Sequence, residues 1–152
     1  MIKILRTNSK NKDFVKLVSC LDSLLAEYDG REHDFYDQYN KIDKIEHVVV
    51  AYFDGVPVAC GAIKKYDNAR MEVKRMFTLD EYRGRGIASV ILAALEQWTK
   101  DLGYSICILE TGRRLPEAVR LYQRSGYQQI PNYGQYIQME NSICFEKNLN
   151  KD

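Results

Sequence analysis

Eight consecutive residues carry the strongest chemical signal in this chain: Tyr82-Arg83-Gly84-Arg85-Gly86-Ile87-Ala88-Ser89. They stand between an apolar run ending at Leu79 and a stretch of helical periodicity that starts at Ile87. Glycines at a strand-to-helix turn let backbone N–H groups approach a ligand, and the start of a helix adds positive potential, so the segment suits a phosphate-bearing anion. Arg83 and Arg85 strengthen that potential. The competing reading is a plain glycine turn with two solvated arginines. A P-loop would need Gly-Lys-Ser/Thr after four intervening residues, and that is absent. A dinucleotide fingerprint is a nearer competitor, because Gly84 and Gly86 fit it and Glu110 ends the next strand, where a ribose-binding acid could sit. Its third glycine position is Ser89, however, and such a fold should open with this motif and continue in parallel units.

The elements that must hold this segment follow from periodicity. Residues 2–6 alternate as a short strand, and Phe14, Leu17, Val18, Leu21, Leu24, Leu25 and Tyr28 recur at helical spacing. Residues 31–40, rich in Asp, Tyr and Phe, read as a second short helix or a structured loop. Residues 47–53 and 56–66 form a hairpin about Asp54-Gly55, a pair that supplies the positive dihedrals of a type I′ turn. After Asp67-Asn68, residues 69–79 read as a third strand reached by a tight turn. Ile87, Val90, Ile91, Ala94, Leu95, Trp98 and Leu102 then make one stripe of a helix that ends near Gly103. Residues 104–109 are a buried strand. Pro116 opens a helix whose Ala118, Leu121, Tyr122 and Ser125 share a face before Gly126 closes it, and residues 143–145 support a last strand.

Composition narrows the function classes. A chain of 152 residues fits one domain, here spanning residues 1–152, with no repeat, low-complexity tract or linker to divide it. With 22 basic and 21 acidic residues the formal charge is +1, too weak a field to hold nucleic acid or an anionic membrane. No stretch approaches the roughly 20 apolar residues of a membrane span, and the opening Met-Ile-Lys-Ile-Leu-Arg is shorter than a secretion signal, so the expected location is the cytoplasm. Cys20, Cys60, Cys107 and Cys144 are widely spaced inside apolar runs and read as reduced thiols acting as small core hydrophobes. With His33 and His47 the only histidines, neither a metal site nor a histidine-based triad is expected.

Taken with its flanks, the glycine segment resembles the GCN5-related N-acetyltransferase (GNAT) family, whose pyrophosphate loop reads Arg/Gln-x-x-Gly-x-Gly/Ala. Arg83, Gly86 and Ala88 fill that pattern. The likeness extends through Glu72-Val73-Lys74-Arg75-Met76-Phe77, Leu109-Glu110-Thr111-Gly112 and Ala118-x-x-Leu121-Tyr122-x-x-x-Gly126-Tyr127, covering residues 46–148 in the family's order. It implies an α/β (mixed α+β) fold with a central mixed, mostly antiparallel sheet flanked by helices. That sheet would be splayed between the strand ending at Leu79 and the strand over residues 104–109. It implies acetyl-CoA as cosubstrate in the gap, its pantetheine arm pairing with backbone groups of Met76, Phe77 and Thr78 and its pyrophosphate held by residues Arg83, Gly84, Arg85, Gly86, Ile87, Ala88 and Ser89. One departure stands out: an asparagine often found before the family's last helix would fall at Leu115.

The implied reaction is acetyl transfer to a primary amine of a small molecule or peptide by direct attack, and it poses two proton problems. An alkyl ammonium of pKa about 10.4 is deprotonated only about once in 2,500 at pH 7, and CoA leaves as a thiolate that needs a proton donor. By the resemblance, Tyr122 is the candidate acid, against the alternative that it simply packs in the core. Glu72 is the candidate base or the anchor of a water acting as one, against the alternative of a solvated glutamate paired with Lys74 or Arg70. Asp29, Glu32, Asp34 and Asp37, among Phe35, Tyr36 and Tyr39, could line an acceptor pocket for a cationic amine or form a solvated loop. Arg113 and Arg114 could contact a substrate carboxylate or the cofactor's phosphates, or be surface charges at a strand end, and receive no role. Two other classes stay open, a nucleotide-dependent oxidoreductase and a CoA-binding sensor without turnover, as do the acceptor's identity and the choice between monomer and homodimer.

Overall fold

The computed structural model describes residues 1–29 and 45–150. Its strands are β1 (Ile2–Thr7), β2 (His47–Phe53), β3 (Val56–Lys65), β4 (Arg70–Thr78), β5 (Ile106–Gly112), β6 (Gln128–Ile130) and β7 (Ser142–Asn148). Its helices are α1 (Lys12–Asp29), α2 (Ile87–Asp101) and α3 (Pro116–Arg124), with single turns at Asp80–Tyr82 and Gly134–Tyr136. The strands make one sheet in the order β1-β2-β3-β4-β5-β7-β6. Every pairing is antiparallel except β4 with β5. The mixed, mostly antiparallel sheet expected from the sequence is therefore present, and the repeated parallel units of a dinucleotide fold are not.

The apolar run in β2 is continuous because the sheet is covered on both faces. Val48 and Val50 pack with Phe14, Leu17 and Val18 of α1, whereas Val49 and Ala51 pack with Ile91 and Leu95 of α2. Asn11 starts α1 by accepting the Phe14 N–H on its side chain at 3.0 Å, the bond an N-cap asparagine makes. The hairpin turn has the expected geometry, with Asp54 and Gly55 at φ of 50° and 85°.

The irregularity that matters most lies in β4. Cys60 faces Phe77 and Ala62 faces Lys74, so Gly61 stands opposite both Arg75 and Met76. This bulge puts Arg75 at φ 60°, a conformation costing a non-glycine residue about 1 kcal/mol or more. A bulged strand bends, and β4 leaves its neighbour here: it pairs with β5 only over Arg70–Glu72 against residues 106–108. Met76 crosses β3 at Gly61, where a Cβ would lie 2.7 Å from the Met76 sulfur and under 3.0 Å from Leu95 and Ile91 side-chain atoms. Only glycine lets the bulge seat its methionine in the core.

Several boundaries differ from the sequence reading. The strand expected over residues 104–109 runs instead from Ile106 to Gly112. Ser105 and Ile106 donate to the Ala69 carbonyl as a lead-in, and Glu110, Thr111 and Gly112 continue the ladder with β7. In α2 the buried face includes Leu92 and Thr99, while Val90 is exposed. Cys20 lies exposed on α1, so it is not a core thiol. Burial does push the Cys60 thiol up to about 12 and those of Cys107 and Cys144 to about 11, keeping them protonated and unreactive. Strand β6 and the two single turns have no counterpart in the sequence reading. The acidic and aromatic stretch beyond Asp29 lies outside the described residues.

Candidate active site

Where β4 and β5 part, the sheet opens into a cavity of about 140 Å³. One wall is residues 72–76 of β4, the other Glu110, Thr111 and Gly112 of β5. Leu115 with Ala118 and Tyr122 of α3, Leu21 and Leu25 of α1, and Tyr136 complete the lining. From Val73 onward β4 has a strand partner only on its β3 side. Its other edge offers backbone donors and acceptors to an extended ligand over roughly 17 Å at about 3.3 Å per residue.

Glu72 is buried, 8% exposed, and its carboxylate is held from two directions. The Tyr133 hydroxyl donates to Oε2 at 2.5 Å, and the Lys74 ammonium stands 3.8 Å from Oε1. It is therefore not the solvated strand glutamate of the alternative reading, although the pairing with Lys74 does exist. Burial, with the Glu72 charge beside it, holds the Tyr133 phenol well above the ordinary tyrosine range, so it stays a donor at neutral pH. Burial lowers the Lys74 ammonium, and the Glu72 carboxylate opposes that shift. Tyr133 is fixed from below: the Asn132 amide nitrogen lies 3.0 to 3.1 Å from the carbonyls of Tyr136, Met139 and Ser142. Tyr66 and Tyr136 meet the Tyr133 ring edge-on at 5.2 and 5.8 Å.

Tyr122 comes from the opposite wall. Its ring is packed against Tyr127 and Phe145 at centroid distances of 5.8 and 6.1 Å, so the core role read from its helical stripe is real. The residue nonetheless lines the same cavity as Glu72. Burial, and secondarily the Glu110 carboxylate, raises the phenol pKa above the ordinary range. Glu110 in turn accepts from the Ser142 hydroxyl at 2.8 Å.

The glycine segment lies beyond the far end of β4, outside the cavity. Gly84 and Gly86 both adopt left-handed φ, 77° and 78°, and Gly86 is the N-cap of α2 with no side-chain cap. Helix geometry thus leaves the first amides of α2, from Ile87 to Ser89, without partners inside the helix. Ile87 is buried and can offer only its backbone, while Ser89 is exposed. Arg83 folds back, donating from Nε to the Thr78 carbonyl at 3.1 Å and pairing with Asp80 at 2.9 Å. Arg85 lies over the Phe53 and Tyr82 rings at 5.6 and 5.1 Å. Met76 reaches the cavity, whereas the Phe77 side chain packs on the α1 face and Thr78 lies outside the lining. Leu115 does line the cavity but brings an apolar side chain where an amide would have bonded.

Sequence reasoning did not single out Tyr133, Arg75 or Tyr136, named Lys74 only as a pairing partner of Glu72, and gave Arg114, which lines the cavity, no role. Tyr133 and Tyr136 lie in a stretch without strand or helix periodicity, and nothing local signals the bulge that turns Arg75. Among the described residues no group of three or more potential ligands could hold a metal ion, and no helix is long and apolar enough to cross a membrane.

A sheet parted between β4 and β5, with an uncapped helix start beyond the end of β4 and polar side chains converging from both walls, defines an acyltransferase of the N-acetyltransferase type. Residues 17–127 match the family model described as Acetyltransferase (GNAT) family, and the chain belongs to that family. It is 29% identical over 150 residues to the IAA acetyltransferase of Azospirillum brasilense, covering 97% of this chain and 98% of that one. A Klebsiella pneumoniae protein assigned as an acyl-CoA N-acyltransferase superposes with TM-score 0.83 at 25% identity, covering 98% of both chains. A GNAT acetyltransferase from Elizabethkingia anophelis, solved with acetyl-CoA bound, has the same fold at TM-score 0.72 and 18% identity over 97% of this chain and 98% of that one.

Proposed function

We propose that this chain transfers the acetyl group of acetyl-CoA to a primary amine of a small molecule or peptide by direct attack. The observation that carries the reading is the convergence of Glu72 and Tyr122 on one cavity at the parting of β4 and β5. The residues present fit acetyl-CoA: the unpaired edge of β4 suits the pantetheine amides, and the uncapped start of α2 suits the pyrophosphate. An oxidoreductase reading loses its support in the antiparallel strand order.

In this reading Glu72 takes the ammonium proton, directly or through a water, with Tyr133 fixing the carboxylate. The amine nitrogen attacks the thioester carbonyl, the carbon–sulfur bond breaks, the Tyr122 hydroxyl donates to the leaving sulfur, and the nitrogen's remaining excess proton restores the tyrosine hydroxyl, directly or through water. The desolvation that raises the phenol pKa also raises the proton affinity of a thiolate in the same cleft, which keeps the two matched. Thiol release from acetyl-CoA across a panel of amines, with mass spectrometry of the products, tests the proposal. An acetylated amine carrying 1:1 stoichiometry with released thiol is expected. Acetyl-CoA binding with no thiol release for any amine would make the chain a sensor instead.

The cofactor segment has its own test. A Cβ at Gly86 meets no atom within 4 Å, so Gly86→Val acts chiefly through its left-handed φ, a strain of about 1 to 2 kcal/mol. Gly103, at φ 91° and equally open, follows the C-terminal end of the same helix, so Gly103→Val is a matched control. Calorimetric titration should show acetyl-CoA affinity falling about tenfold, about 1.4 kcal/mol, in the first variant and not in the second. Equal losses would remove the segment from the binding site.

A further inference from the structure

Arg75 is buried and only partly satisfied. Its side chain is 2% exposed, and Nη2 donates to an Asp22 carboxylate oxygen of α1 at 2.6 Å. Its Nε and Nη1 are shut off from solvent and have no hydrogen-bond partner among the described residues. A buried guanidinium is costly unless its donors find acceptors. Its backbone holds the left-handed conformation forced by the bulge. An apolar side chain would fill this place with no unmet donor, so its presence calls for an acceptor that comes and goes.

The residue borders the same cavity as Glu72 and Tyr122. Open guanidinium donors shielded from water favour a planar oxyanion, and Asp22 already shows a carboxylate on this group. The cavity's lining mixes charged groups with apolar ones such as Leu21, Leu25 and Leu115. Glu72 lies three residues before Arg75, roughly 10 Å along an extended strand, and would attract the amine end of a short acceptor while repelling its acid end. We propose that Arg75 selects the acceptor, and that the amines taken by this site also carry a carboxylate, bound at the free donors of Arg75. The inference builds on the acetyl-transfer reading by naming its substrate class.

Matched sets decide it: amino acids from glycine to lysine, each beside its amide and its decarboxylated amine. Each is assayed for thiol release and titrated calorimetrically into the protein loaded with CoA. Wild type should favour the acid of at least one set by about tenfold or more in both kcat/KM and Kd, the range of a charge-assisted pair. In Arg75→Met that ratio should fall to near one while the thermal midpoint holds or rises, because the buried unmet donors are gone. A residue that only anchored α1 would give the reverse, a lowered midpoint with the preference intact, and would overturn the inference. So would a wild type that handles acids, amides and amines alike. If no amine releases thiol, the acetyl-transfer reading fails by itself, and the titrations still decide for or against Arg75.

Discussion

Replacing Tyr122 by phenylalanine should lower turnover by about 100- to 10,000-fold, the contribution of a positioned general acid, while leaving acetyl-CoA affinity nearly unchanged. The substitution is clean because the ring, which phenylalanine keeps, does the packing against Tyr127 and Phe145. Thermal unfolding should therefore shift little, and steady-state thiol release with a saturating amine reads the effect. A variant that turns over like wild type would return Tyr122 to core packing alone. The raised phenol pKa adds a sign: the group is protonated throughout the neutral range, so the hydroxyl's contribution should not titrate away between pH 6 and 9.

The second large effect is expected for Glu72→Gln. The amide keeps size and can still accept from Tyr133, but it cannot take a proton, and Lys74 loses the opposite charge 3.8 Å away. Free amine rises about tenfold per pH unit below its pKa of about 10.4, so the variant's deficit should be greatest near pH 7 and shrink toward pH 9. The usable window closes near pH 10. Tyr122, Tyr127, Tyr133 and Tyr136 are all raised in the folded chain, chiefly by burial. Their contribution to stability is full below the unfolded value of about 10 and is lost as pH climbs above it, because the unfolded chain then releases protons that the folded chain keeps. Rates at pH 7, 8 and 9, with the fold monitored at each, separate the outcomes. A uniform loss would make Glu72 an orienting group, and no loss would leave it structural.

The glycine segment's turn, the hairpin and the helices are legible in the sequence because each is a local arrangement. Asp54-Gly55 sets its own turn, Pro116 starts α3, and the glycines of the segment adopt the left-handed φ their type permits. The family resemblance rests on the same short stretches in order, and it pointed to Tyr122 and Glu72. What it left open was whether each residue was core, solvent-facing or lining a site. Tyr122 turned out to be two of these at once, and Glu72 is buried where a solvated glutamate had been equally plausible.

The alternation of apolar and polar residues fixed which strands and helices form and which faces they bury, since that information is carried within a few residues of chain. The site's shape depends on chain segments far apart in sequence. The bulge at Arg75 arises from pairing with Gly61, which alone leaves room for Met76, and it is this mismatch between strands that parts β4 from β5. Tyr133 reaches Glu72 across 61 residues, and Arg75 reaches Asp22 across 53. Such contacts are set by strand register and by the packing of α1 on the sheet, which no local pattern encodes. The sequence by itself therefore determined the class of elements and the chemistry available to them. The tertiary structure decided which charges share a cavity, because only folding removes water from groups so distant along the chain.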